Sequence, residues 1–125
     1  MHNPIGWFEI YVSDIERAIA FYQNVFKVTL EPVNDPNGSD IVMWSFGSAM
    51  QSYGATGALV KMDGIKVGGN STLVYFSCQD CSVEAKRAEM AGGQLKQAKM
   101  AIGEYGFISL VADTEGNIIG LHSSQ

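Results

Sequence analysis

The side chains with the sharpest chemistry are Cys78 and Cys81, which form a single C-x-x-C and are the only two cysteines in 125 residues. Two thiols at this spacing suit disulfide exchange where a strand runs into a helix. They also make half of a zinc site, which takes about four ligands. No second pair and no nearby His completes such a site, and Gln79-Asp80-Cys81-Ser82 lacks the aromatic or proline context of a redox motif. The pair therefore reads as two ordinary cysteines of a reducing compartment. Gly103-Glu104-Tyr105-Gly106 has two readings: a turn, or a rim loop whose Glu104 or Tyr105 touches a ligand. Its glycines allow either a bend or a close approach. Asp14 and Asp113 read as helix-start and turn residues, and His2 is assigned nothing.

The elements that must hold these groups follow from periodicity. Gly6–Val12 is aromatic and β-branched, a strand signal. Ser13-Asp14-Ile15-Glu16 fits a capping box in which Ser13 and Glu16 satisfy each other's amides. Ile15, Ala18, Ile19, Tyr22 and Phe26 then recur at helical spacing, and the helix ends near Phe26–Lys27. Val28–Val33, Ile41–Phe46 and Ala58–Met62 are strand candidates, with a turn at Asn34–Gly38. A connection over Lys61–Asn70 leads to a second round: strand Ser71–Cys78, helix Asp80–Ala91 stopped by Gly92-Gly93, and strand Gln94–Lys99. Phe107–Ala112 and Asn117–His122 follow, joined by a tight turn at Asp113–Gly116.

Each half thus reads strand–helix–strand–strand–strand, over about residues 5–63 and 70–123 of one domain spanning 1–125. Helices kept to the outer faces of two curved sheets make the class α+β, with a cleft between the concave faces. Eight basic against thirteen acidic residues give a net charge of −5, and no basic cluster exists to hold a nucleic acid. Apolar runs such as Ile41–Trp44 and Leu73–Phe76 are too short to span a membrane. The first residues lack the charge and apolar core of a secretory signal, so a cytoplasmic location is expected.

With this layout, Phe8-Glu9-Ile10-Tyr11-Val12-Ser13-Asp14 and Arg17-Ala18-Ile19-Ala20-Phe21-Tyr22 resemble the opening of the vicinal oxygen chelate superfamily. That group includes glyoxalase I, extradiol dioxygenases and the bleomycin and fosfomycin resistance proteins. Asp113-Thr114-Glu115-Gly116-Asn117-Ile118-Ile119-Gly120-Leu121-His122 resembles its final hairpin, and the similarity covers the whole chain. The resemblance implies two βαβββ modules, a ligand cleft and a homodimer. In metal-dependent members it also implies one ligand near the start of each half's first strand and one on each half's last strand. Counted from Asp14 and Asp80, the first-strand positions fall on Trp7 and Val74; the last falls on Gly120, four residues after the turn glycine. The remaining position lies between Ile41 and Met62, where there is no Asp, Glu or His. None of these side chains ligates a divalent cation, so no metal is expected at the family's usual site.

If Trp7 faces the cleft, alternation brings Glu9 and Tyr11 with it. The same logic brings in Val74, Phe76 and Cys78 from the second half's first strand, and Ile118, Gly120 and His122 from the last. The expected function is binding of a small, partly apolar organic molecule against Trp7, Tyr11, Val74, Phe76 and Gly120, with no cofactor. The alternative is a lyase or isomerase using Glu9 and His122 as an acid–base pair, with or without a weakly held divalent metal on those two groups. Against both stands a plainer reading, in which Glu9 serves a local hydrogen-bond network and His122 is solvated. Trp7 is expected in the cleft and Trp44 in the core or a subunit interface.

Overall fold

In the computed structural model, residues 3–34, 40–47 and 53–125 are described. The expectations for His2, for most of the Asn34–Gly38 turn and for part of the segment before Ala58 lie outside them.

The first half consists of β1 (Phe8–Tyr11), α1 (Ile15–Phe26), β2 (Glu31–Val33), β3 (Val42–Ser45) and β4 (Gly57–Lys61). The second repeats it with β5 (Tyr75–Ser77), α2 (Cys81–Met90), β6 (Gln94–Ala101), β7 (Phe107–Ala112) and β8 (Ile118–Ser123). The two sheets have the same order, β1-β4-β3-β2 and β5-β8-β7-β6. In each, the first strand lies parallel to the last and forms a sheet edge. The fold is the expected α+β arrangement of two βαβββ modules. A short 3-10 helix at Gly103–Tyr105 occupies the segment read as a turn or rim loop.

One core runs through both halves. Ala18, Phe21, Tyr22 and Val25 of α1 meet Cys81, Ala85 and Ala88 of α2, over Ile10, Val12 and Leu59 from one sheet and Val111, Ile119 and Leu121 from the other. Full burial of a side chain such as Phe21 or Leu121 contributes about 1.5–3 kcal/mol. Phe21 and Val25 widen the expected helical stripe, because α1 faces α2 as well as its own sheet. Trp44 packs against this core, as one of its two readings had it.

The start of α1 differs from the expected capping box. The N-cap is Asp14, whose side chain accepts from the Arg17 amide at 3.1 Å. The Ser13 and Asp14 amides donate to Glu115 Oε1 at 3.0 and 2.9 Å, and not to Glu16. Glu115 comes from the β7–β8 turn, a hundred residues away, where local pattern reading could not place it. Arg17 completes the clamp with bonds of 2.6 and 2.9 Å to both Glu115 oxygens. Burial alone would raise the Glu115 carboxyl, but Arg17 and the amides of Asp14 and Ser13 outweigh it and hold it down at about 2. The neighbouring Asp113 is buried and accepts from the Tyr22 hydroxyl at 2.7 Å. Burial and that carboxylate push the Tyr22 phenol well above its ordinary value.

Candidate functional site

Along β1 the side chains alternate as expected: Ile10 and Val12 are buried, Phe8 packs on the core, and Trp7 and Glu9 are exposed with Tyr11 half-buried. The three outward groups form a network. Trp7 Nε1 donates to Glu9 Oε2 at 3.1 Å and the Tyr11 hydroxyl donates to Glu9 Oε1 at 2.7 Å. Acceptance by Glu9, then partial burial, raises the Tyr11 phenol. Both carboxylate oxygens are therefore engaged by β1 and the residue before it.

On the last strand, Ile119, Leu121 and Ser123 point into the core, leaving Ile118, Gly120 and His122 on the opposite face. His122 Nε2 is 2.6 Å from the Tyr105 carbonyl oxygen of the 3-10 helix. Glu9 and His122 thus have separate partners on separate sheets, and none of the three cavities beside β1 and β5 is lined by both. The structure does not bring the expected acid–base pair together.

The first strand of the second half has the opposite parity from the expected one. Phe76 and Cys78 pack against the core, with the Phe76 ring stacked on Phe26 at a centroid distance of 4.2 Å. Tyr75 and Ser77 point away, in register with Gly120 and His122. The cause is one residue of spacing. Trp7 precedes its helix cap Asp14 by seven residues, whereas Val74 precedes Asp80 by six. Leu73 is the true counterpart of Trp7, and a slip of one residue turns every side chain to the other face. Equal spacing to the two Asp caps was the signal that would have found Leu73 and Tyr75.

Cavities lie where the edge strands β1 and β5 approach. One, about 830 Å³, is a groove lined by Ile5, Trp7 and Phe8 on one side and Leu73, Val74 and Tyr75 on the other. It adjoins a chamber of about 430 Å³ that shares Phe8, Val74 and Tyr75 and is walled by Phe26, Phe46 and Phe76. Phe76 therefore meets a cavity from the core side and not from the open face. A third space of about 210 Å³ lies beside Glu9 and Tyr11, against Asn70 and Asn117. There the Asn117 side-chain amide donates to the Tyr11 carbonyl and accepts from the Gly68 amide, fixing the connection between halves. Gly120 lines none of these spaces: the Tyr75 ring covers it so closely that any Cβ at 120 would overlap the ring.

A divalent metal does not fit this donor set. At the ligand positions the resemblance implies, the chain has Trp7, Leu73 (one residue before the expected Val74) and Gly120, and the Tyr75 ring occupies the space into which a residue-120 side chain would project. Among the described residues no three His, Cys, Asp or Glu side chains converge. The Cys78 thiol, pushed up to about 12 by burial and then by the Glu84 charge, is a poor source of thiolate.

The fold agrees with that of known proteins. The model of the Glyoxalase/Bleomycin resistance protein/Dioxygenase superfamily matches residues 4–121, and the chain belongs to that superfamily. Its structure is similar to glyoxalase I from Zea mays, with a TM-score of 0.74 and 19% identity, over 97% of this chain and 46% of that one. The chain thus spans about half the length of the maize protein. A domain from Frankia sp. EAN1pec, described as glyoxylase/bleomycin resistance protein/dioxygenase, matches over 100% of both chains with a TM-score of 0.71 and 13% identity. A glyoxalase-related enzyme from Fulvimarina pelagi matches with a TM-score of 0.67 and 20% identity, over 98% of this chain and 88% of that one. No curated protein matches the sequence. Among the described residues no helix is long and apolar enough to cross a membrane.

Proposed function

We propose that this chain is a small-molecule-binding member of the superfamily, which seats a partly apolar organic compound in the groove between β1 and β5 without a metal. The observation that carries this reading is the groove itself. Its concave wall leaves Trp7, Leu73 and Tyr75 exposed at 45%, 38% and 47%. Large apolar groups clustered in a concavity, with few polar neighbours, are the usual make-up of a small-ligand site. Trp7 and Tyr75 offer ring surface for a flat or apolar guest.

The lyase or isomerase reading needs Glu9 and His122 within reach of one substrate. The bonds of Glu9 to Trp7 and Tyr11, and of His122 to Tyr105, give it no support.

Titration with the neutral dye N-phenyl-1-naphthylamine, followed by its fluorescence, tests the groove. Saturable binding is expected in the unaltered chain and in Trp44→Phe, and its loss in Trp7→Ala. Equal binding by Trp7→Ala and the unaltered chain would place the dye elsewhere and overturn the reading.

A further inference from the structure

The chamber beneath the groove contains one group that the proposed function leaves unused. Glu84, on the first turn of α2, lines it together with Phe8, Phe26, Phe46 and Phe76. Its Oε1 is shut off from solvent and has no hydrogen-bond partner of ordinary geometry, although the Cys78 thiol lies near enough to be pushed up by the carboxylate. Its Oε2 is 3.9 Å from Arg87 Nη1, beyond hydrogen-bond distance, while that same nitrogen donates to the Val25 carbonyl at 3.4 Å. A buried carboxylate oxygen with no partner is costly, and native structures rarely leave one without a reason. Among the described residues that line the groove and the chamber, Glu84 is the only one that carries a charge.

Phenyl rings around a carboxylate are a poor setting for an anion, which the charge repels. A neutral apolar guest would leave the carboxylate with only the 3.9 Å ion pair to Arg87 as its counter-charge. An organic cation meets both features, because aromatic rings attract it through their quadrupoles and the carboxylate through its charge. The net charge of −5 acts in the same direction at longer range.

We propose that the chamber receives the cationic end of a small organic ammonium compound, its charge directed at Glu84 and its alkyl groups packed against Phe26, Phe46 and Phe76. This rests on the reading of the adjoining groove as a small-molecule site, and the rest of the ligand lies along Trp7 and Tyr75. Besides Glu84 the chamber's polar side chains among the described residues are hydroxyls, Thr56 and Ser77 among them, with no His and no second carboxylate. A substituted ammonium therefore fits better than a bare metal ion, which needs several oxygen or nitrogen ligands.

Calorimetric titration of the full chain with choline and with 3,3-dimethylbutan-1-ol, in which carbon replaces the charged nitrogen, isolates the charge. Choline is expected to bind more tightly by on the order of tenfold. In Glu84→Gln that preference is expected to vanish while the alcohol binds as before. Equal affinities in the unaltered chain, where folding is not in question, would overturn the proposal, as would a preference that survives Glu84→Gln. Failure of both compounds to bind also overturns it. In that case Trp7-dependent binding of the neutral dye shows that the groove reading stands alone, and absence of dye binding removes both.

Discussion

In each half of the molecule a glycine on the last strand lies beneath an aromatic ring carried by the first. Gly57 is in register with Phe8, and Gly120 with Tyr75. The rings point in opposite directions: Phe8 into the core beside Phe46 and Phe76, Tyr75 out over the open face. The same device, a ring over a strand glycine, closes the core in one half and covers the open face in the other. Counted from the helix caps Asp14 and Asp80, Tyr75 matches Glu9 and not Phe8, so the two first strands turn the same face outward and their paired glycines sit one position apart. The shared outward face puts Trp7 and Tyr75 together on the groove, and the offset glycine leaves the Tyr75 ring where a side chain at 120 would project.

The helix starts differ in the same spirit. The amides before α1 are held by Glu115 of the second half. The N-cap of α2, Asp80, is served by Ser82 and by Lys99, and the Cys81 amide by Ser123, all from its own half. The first module depends on the second for its helix entry, and the second is self-sufficient.

The comparison can be broken most severely at Gly57. A Cβ there meets the Phe8 backbone oxygen as well as the ring, and backbone cannot move aside. Gly57→Ala is expected to cost about 3 kcal/mol, at the upper end for overpacking, measurable by urea unfolding. Next comes Glu115→Ala, which leaves Arg17 and two amides without their acceptor. With the Glu115 side chain fully buried and Arg17 half exposed, about 2 kcal/mol is expected.

The same clamp sets an acid response. Glu115 lies at about 2 in the folded chain against an ordinary value of 4.5, so its stabilisation is complete above about pH 4.5. It is lost as the pH falls towards 2. Thermal midpoints recorded across that window should decline in the unaltered chain and decline less steeply in Glu115→Gln; parallel curves would remove Glu115 as the source. The smallest effect is expected at Gly120→Ala. Only the Tyr75 side chain stands in the way, and it is half exposed and free to swing. A cost of under about 1 kcal/mol is expected, with a change in dye binding because Tyr75 lines the groove. A penalty at 120 matching that at 57 would show the two ring-over-glycine contacts to be equivalent.

Much of the fold was legible because it is written in short-range pattern. The helical stripe from Ile15 to Phe26, the Gly92-Gly93 stop and the Asp113–Gly116 turn all depend on residues within a few positions of one another. The site was legible only on β1, where alternation from Trp7 correctly turned Glu9 and Tyr11 outward. On β5 the count from Asp80 was one short, and Phe76 turned from the expected open face to the core side, where it walls the chamber. His122 and Glu9 were drawn together by an imagined common cleft, while each had a nearer partner.

The order of elements, their duplication and the absence of ligating side chains at the family's metal positions were determined by the sequence itself, since local periodicity and residue identity suffice for them. The tertiary structure alone decided which face each edge strand turns outward, that Glu115 caps the helix of the other half, and that Glu84 comes to line a chamber walled by phenyl rings. These depend on contacts between residues far apart in the chain, and a strand's two faces are exchanged by a shift of a single residue.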